Sequence, residues 1–75
     1  MTHSPPRTLD LVAEATPVGE PGWPPRVICT NLNLSTPDDA LAPTTVRHAL
    51  RELVGAGRLK RTGQPGAMLY WRSGP

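Results

Sequence analysis

Cysteine is almost absent from this chain, and so are the features of membrane and secreted proteins. The single cysteine, Cys29, excludes an intramolecular disulfide framework, and the lack of clustered Cys and His residues excludes a structural zinc site. No apolar run approaches the roughly 20 residues of a membrane-spanning helix, and residues 1–6 lack the apolar core of a signal peptide. We therefore expect a cytoplasmic protein that contacts no membrane.

Catalytic groups are missing as well. At 75 residues the chain is long enough for one domain only, which buries about 60% of its unfolded surface and leaves little room for a deep pocket. No nucleophile with a base, no catalytic carboxylate pair and no phosphate-binding loop can be recognised. Cys29 has no His or Asp placed to activate it and is expected to be a small buried residue. We expect no enzyme, no cofactor and no small-molecule ligand.

Acidic residues are scarce in the second half of the chain. Residues 1–43 carry two basic and five acidic side chains, a formal charge of −3, whereas residues 44–75 carry six basic and one acidic side chain, a charge of +5. Seven of the eight basic residues are arginine, whose planar guanidinium suits forked contacts with phosphate and with bases. The asymmetry is typical of a face that attracts a polyanion, although a solvated helix face would explain it equally well.

The strongest helix pattern in the chain runs from about Thr44 to Ala56. Apolar residues recur there at the i, i+4, i+7 and i+8 spacing of a helix that lies on a core: Val46, Leu50, Leu53 and Val54, with Ala49 beside them. Pro43 at the entry, a hydroxyl of Thr44 or Thr45 as the cap, and two glycines at the exit bracket this helix.

Two shorter helices are predicted before it. Residues 1–6 are expected to form a disordered tail, and apolar spacing then indicates a first helix over residues 7–16. Residues 17–22 hold two prolines and two glycines, so irregular structure is expected. A second helix is predicted within residues 23–35, although Val, Ile and Thr leave open a short strand over residues 27–30.

The segment between the second and third helices is expected to be a single helical turn or an exposed loop. Thr36 is a candidate cap, Pro37 suits the first helical position, and Asp38 and Asp39 suit the positive end of the helix dipole. The two aspartates lack the glycine and the distal glutamate of a calcium loop, so no metal site is predicted.

Residues 58–72 alternate in the manner of a β-hairpin. Residues 58–62 and 67–72 are predicted strands around a turn over residues 63–66. A two-stranded hairpin is unstable alone, so one of its faces must lie on the helices. The predicted fold is α+β and mostly helical: a three-helix core with a C-terminal hairpin over residues 7–72, followed by a C-terminal tail of residues 73–75.

The third helix and the hairpin together resemble the recognition helix and wing of bacterial winged helix-turn-helix DNA-binding proteins. In that family a pattern like S-P-x-T-V-x-x-x-L-x-x-L-x-x-x-G-x-L is followed by basic residues, a glycine-containing turn and an aromatic strand. Here Thr44-Thr-Val-Arg-His-Ala-Leu-Arg-Glu-Leu-Val-Gly-Ala-Gly-Arg-Leu-Lys-Arg61, with Tyr70 in the second strand, follows it over about 30 of the 75 residues. Residues 28–35 are similar to the family's second helix and turn. That turn usually passes directly into the recognition helix, whereas residues 36–42 intervene here.

The resemblance implies a winged helix fold whose third helix enters the major groove of double-stranded DNA while the wing lies over phosphates or a minor groove. The candidate groove residues are Thr44, Thr45, Arg47, His48 and Arg51. The candidate backbone contacts are Arg58, Lys60, Arg61 and Gln64.

Two functions remain open after the resemblance is considered. The first is a small DNA-binding protein, either a transcriptional regulator or a phage or plasmid factor, and a homodimer is an option because so small a domain reads only a short site. The second is an interaction module that binds an acidic protein surface, since a fold does not fix a function.

Overall fold

The computed structural model describes residues 4–74, in which three α-helices precede an antiparallel β-hairpin. The helices are α1 (Pro6–Ala15), α2 (Pro25–Ser35) and α3 (Pro43–Gly55), with a 3₁₀ turn (Pro37–Asp39) between the last two. The strands are β1 (Lys60–Gln64) and β2 (Ala67–Trp71). The predicted α+β fold is thus confirmed, and the three helix positions agree with the structure to within a residue or two.

Proline starts every helix of the described chain. Each α-helix and the 3₁₀ turn has proline in its first positions, where the missing N–H is no loss and the fixed φ suits the helix, and none has a side-chain cap. The prediction that the Thr44 or Thr45 hydroxyl caps α3 is therefore wrong. Pro43 starts the helix one residue earlier, so Ala42 holds the cap position and both threonines lie within the first turn.

Ser4, which precedes the first helix, contacts α3. Residues 1–3 and 75, which belong to the predicted tails, lie outside the described residues. The backbone N–H of Ser4 donates to the two carboxylate oxygens of Glu52, at 3.0 and 3.2 Å, and α1 begins at Pro6. The predicted N-terminal tail of residues 1–6 therefore overlaps the first helix and a segment that contacts α3.

One apolar core holds the three helices together. α3 packs on α1 and α2, and α1 packs on α2, so that each helix contributes an apolar face. The strand alternative over residues 27–30 is wrong, because Ile28, Cys29 and Leu32 form the buried face of a helix. The remaining core residues come from α1, α3 and the residue before β1: Val12, Ala13, Ala15, Val46, Ala49, Leu50, Leu53 and Leu59.

The turn of the hairpin is two residues long, shorter than the predicted turn over residues 63–66. β1 begins at Lys60 and continues to Gln64, which pairs with Ala67, so the turn consists of Pro65 and Gly66 alone. Gly66 has φ +87°, a left-handed conformation that glycine adopts without strain.

A third chain segment extends this sheet. Trp23 and Tyr70 exchange both backbone hydrogen bonds, at 3.0 and 2.9 Å, and Gly19 donates to the carbonyl of Arg72 at 2.8 Å. Residues 17–22 were expected to be irregular and Trp23 to belong to the second helix; instead Val18 and Trp23 form single bridges with Arg72 and Tyr70 on the β2 side of the hairpin, which leaves β1 as the outer strand. The bridge fixes the hairpin beside the start of α2.

The segment between α2 and α3 is clamped by one side chain. Asn33 accepts a hydrogen bond from the N–H of Leu41 at 2.9 Å and donates to its carbonyl at 3.1 Å. Leu41 also packs against the core, and Asp39 forms an ion pair with Arg7 of α1 at 2.8 Å. The segment that separates this chain from the family pattern is thus held at defined points, two residues before α3 begins.

Candidate functional site

The outer face of α3 carries the polar side chains that the sequence assigns to it. Thr44, Arg47, His48 and Arg51 are exposed, while Thr45 is half-buried. The opposite face is fully buried in the core, which fixes the rotation of the helix about its own axis. The helix face that carries these side chains therefore has one orientation relative to the domain.

Two of these arginines line a groove between α3, the start of α2 and the hairpin. The groove has a volume of about 670 Å³. Three arginines reach it, Arg26 from α2 and Arg47 and Arg51 from α3. Prolines and the hairpin supply the other walls: Pro24, Pro25, Gly66, Ala67, Met68 and Tyr70. No acidic side chain lines it, so its lining residues carry a net positive charge.

The placement of these arginines does not favour the stability of the fold. Arg47 and Arg51 are four residues apart on one helix face, where like charges destabilise a helix by about 0.2 to 0.5 kcal/mol. Arg26 lies in the first turn of α2, the positive end of its dipole. Within residues 4–74 none of the three pairs with a carboxylate. A cluster that costs stability without internal compensation is typical of a site that binds an anion.

The two faces of the hairpin differ in chemistry. Directly opposite residues of an antiparallel pair share a face, so Arg61 lies on the face of Tyr70, which lines the groove. Lys60 lies on the other face, where its ammonium is 5.8 Å from the centre of the Trp71 ring. Alternation places Gln64, at the exposed end of β1, on the Lys60 face as well.

Arg58, a predicted site residue, contacts α1 instead of the groove. Its guanidinium forms an ion pair with Asp10 of α1 at 3.1 Å. Both side chains are about half exposed, so the pair contributes little to stability. Arg58 thus belongs to the α1 side of the domain and does not line the groove.

Sequence reasoning missed Arg26. The signal for it was a basic residue in the first turn of a predicted helix, but nothing local shows that this turn faces α3. The bridge between Trp23 and Tyr70 creates that proximity, because it brings the start of α2 beside the hairpin. Tyr70 was expected to close the hairpin, and it also forms part of the groove wall.

Residues 4–74 contain neither a metal-binding cluster nor a membrane-spanning helix. Among residues 4–74 no three His, Cys, Asp or Glu side chains are grouped closely enough to hold a metal ion. None of the helices described is long and apolar enough to cross a membrane.

Comparison with known proteins identifies no relative. The chain matches no protein-family model, no curated protein and no solved structure.

Proposed function

We propose that this chain is a small, non-catalytic DNA-binding protein of the winged helix-turn-helix kind, a transcriptional regulator or a phage or plasmid factor. α3 is the recognition helix and the hairpin is the wing. The observation that carries the proposal is the groove in which three arginines from two helices converge without a carboxylate among its lining residues. The resemblance of residues 44–61 to that family supports the same assignment.

The dimensions of the domain suit this mode of binding. An α-helix fits the major groove of B-DNA, which is about 12 Å wide. The exposed side chains of Thr44, Arg47, His48 and Arg51 can all form hydrogen bonds, and Arg51 can make a bidentate contact with guanine O6 and N7. The longest dimension of the domain is 29 Å, less than the roughly 34 Å of one helical turn of DNA. One copy therefore covers a short site.

Arg51→Ala, compared with Arg58→Ala, tests the assignment. Both substitutions remove one exposed arginine and change the net charge equally, but only Arg51 lines the groove. A site would first be selected from random DNA, and affinities for that site and for random DNA would then be measured at several salt concentrations. We expect Arg51→Ala to weaken the selected site by about 1 to 3 kcal/mol, or about 5- to 140-fold, and random DNA much less. Arg58→Ala should change both only slightly.

The hairpin provides a second comparison. Arg61→Ala should weaken selected and random DNA alike and make the salt slope shallower by about 1 unit, as loss of one phosphate contact does. Lys60→Ala removes the same charge from the opposite face of the hairpin and should have a smaller effect.

Equal losses for Arg51→Ala and Arg58→Ala would contradict the proposed groove, because they would mean that only net charge matters. The interaction module would be favoured by two results together. No DNA site is selected, and an acidic protein binds to the immobilised wild-type chain but not to immobilised Arg51→Ala. The apolar side chains of Met68 and Tyr70 beside the arginines suit that second function.

A further inference from the structure

The outer face of α2 carries an apolar stripe. Trp23, just before the helix, and Val27, Thr30 and Leu34 recur at the i, i+4, i+7 and i+11 spacing of one helix face. Leu34 is 78% exposed and Val27 is 38% exposed. They are two of the three large apolar side chains that are exposed in residues 4–74; Val18 is the third. An amphipathic helix that packs on a core with one face normally presents polar residues on the other.

These side chains line a shallow depression next to the groove of Arg26, Arg47 and Arg51, which we call the arginine groove. Its volume is about 400 Å³, and it is formed by Trp23, Arg26, Val27, Thr30, Asn31 and Leu34. Arg26, the one charged residue of the set, also lines the arginine groove, so the two surfaces meet at this side chain. We name these six residues the α2 patch.

The α2 patch is complementary to itself. When two copies of α2 pack antiparallel about a two-fold axis centred between residues 28 and 29, the six residues form three kinds of pair. Trp23 meets Leu34 of the other copy, Val27 meets Thr30, and Arg26 meets Asn31. In a two-fold interface every contact occurs twice, so a surface must match its own reverse. No member of the patch is left without a counterpart.

The pairs are also chemically matched. Leu34, a projecting apolar side chain, would be covered by the half-buried ring of Trp23. Asn31 already donates its amide N–H to the carbonyl of Ala15 at 3.1 Å, and its own oxygen accepts no hydrogen bond within the described residues. The guanidinium of Arg26 can donate to that oxygen. Arg26 would then also lie near the C-terminal end of the other α2, where the helix dipole favours a cation.

We infer that the α2 patch binds a second copy of this chain, with the two α2 helices antiparallel. Six residues a side is far below the 20 to 30 of a stable protein interface, so the dimer is weak in free solution. It becomes populated when two copies are held close together. The last statement rests on the proposed function, because adjacent sites on one DNA would supply that proximity.

The DNA-free association is tested first. Backbone and side-chain NMR spectra of the full chain would be recorded from about 50 µM to about 1 mM, the range in which so small an interface should associate. We expect concentration-dependent shifts at Trp23, Val27, Thr30, Asn31 and Leu34, and loss of these shifts in Leu34→Gln. Val18→Gln is the matched control, since Val18 is 52% exposed but lies outside the patch.

A pair of charged variants tests the antiparallel register. Val27→Lys alone and Thr30→Glu alone should each remain monomeric, because each introduces an unpaired charge at the centre of the interface. Their equimolar mixture should associate, because residue 27 of one copy faces residue 30 of the other. Spectra that are independent of concentration in the wild type, or shifts confined to the arginine groove, would overturn the inference. Association of the wild type without rescue in the mixture would overturn the register.

DNA-binding measurements distinguish a failure of dimerisation through the α2 patch from a failure of the proposed DNA binding. Leu34→Gln should keep wild-type affinity for DNA with one selected site and lose the cooperativity seen on DNA with two adjacent sites. A wild type that self-associates through the patch but selects no DNA site would refute DNA binding and leave the dimer standing. A Leu34→Gln protein that binds two adjacent sites as cooperatively as the wild type would show that the patch makes no contact on DNA.

Discussion

Asn33→Ala should destabilise the domain because the Asn33 side chain bonds both the N–H and the carbonyl of Leu41. The two bonds, at 2.9 and 3.1 Å, are partly buried; alanine leaves the N–H of Leu41 without its partner and leaves its carbonyl with only the weaker thiol donor of Cys29, at 3.6 Å. A net hydrogen bond contributes about 0.5 to 1.5 kcal/mol, so the loss of two gives about 1 to 3 kcal/mol. For a domain of this size each kcal/mol lowers Tm by about 4 to 8 °C.

Asn31→Ala is the matched control for this prediction. Asn31 lies on the same helix, is also half-buried and makes one hydrogen bond to the backbone, with Ala15 O at 3.1 Å. Alanine raises helix propensity equally at both positions, so that gain cancels in the comparison. Asn33→Ala loses one hydrogen bond more than Asn31→Ala, so thermal unfolding followed by circular dichroism should show its Tm about 2 to 12 °C below that of Asn31→Ala.

An equal Tm for the two variants would refute the reasoning. It would mean that packing of Leu41 on the core, rather than the clamp, holds the segment before α3 in place. The clamp also holds the chain just before α3, so Asn33→Ala should weaken the proposed DNA binding even at temperatures at which the protein is fully folded. Asn31→Ala should leave that affinity unchanged.

Three further substitutions test the core, the sheet and the segment between α2 and α3. Leu50→Ala removes a fully buried side chain and should lower the free energy of unfolding by about 2 to 5 kcal/mol in a denaturant titration; a change below 1 kcal/mol would show that the core is misassigned. Gly22→Ala should destabilise more than Gly19→Ala, since both glycines have φ near +85° but only a Cβ at Gly22 would overlap the β2 backbone; equal thermal unfolding would contradict this. Replacement of Asp38 and Asp39 by Ser should cost less than about 1 kcal/mol, because the one ion pair lost is partly exposed, and should slightly strengthen DNA binding. Loss of cooperative unfolding in that double variant would show that the segment has a larger structural role.

The helices could be predicted because their signals are local. The apolar spacing of Val46, Leu50 and Leu53 and the proline and glycine at the two ends lie within one stretch, and α3 agrees with the prediction to one residue at each end. The local sequence of residues 27–30 does not decide between helix and strand. β-Branched residues favour a strand, and burial of Ile28 between two other helices decides for the helix.

The parts that could not be predicted depend on residues far apart in the chain. Arg58 meets Asp10 across 48 positions, and no pattern around either residue indicates the pair. The exchange of hydrogen bonds between Trp23 and Tyr70 involves a single residue of each segment, which is too short to show the period of a strand. Arg26 joins the candidate site only through that exchange. The individual arginines of α3 were therefore readable from the sequence, but the groove that they line was not.

The two backbone hydrogen bonds between Trp23 and Tyr70 allow hydrogen exchange to measure how often the arginine groove opens. Both N–H groups are protected from solvent only while the hairpin is docked against the start of α2. Their exchange with deuterium should follow opening of the hairpin, whereas the amide of Leu50 in the centre of α3 should exchange only through global unfolding. The exchange rate of each bridge amide, divided by the rate of the same amide in an unstructured peptide, gives the population in which the groove is open. A ligand that binds between the hairpin and α3 should slow the two bridge amides more than it slows the core.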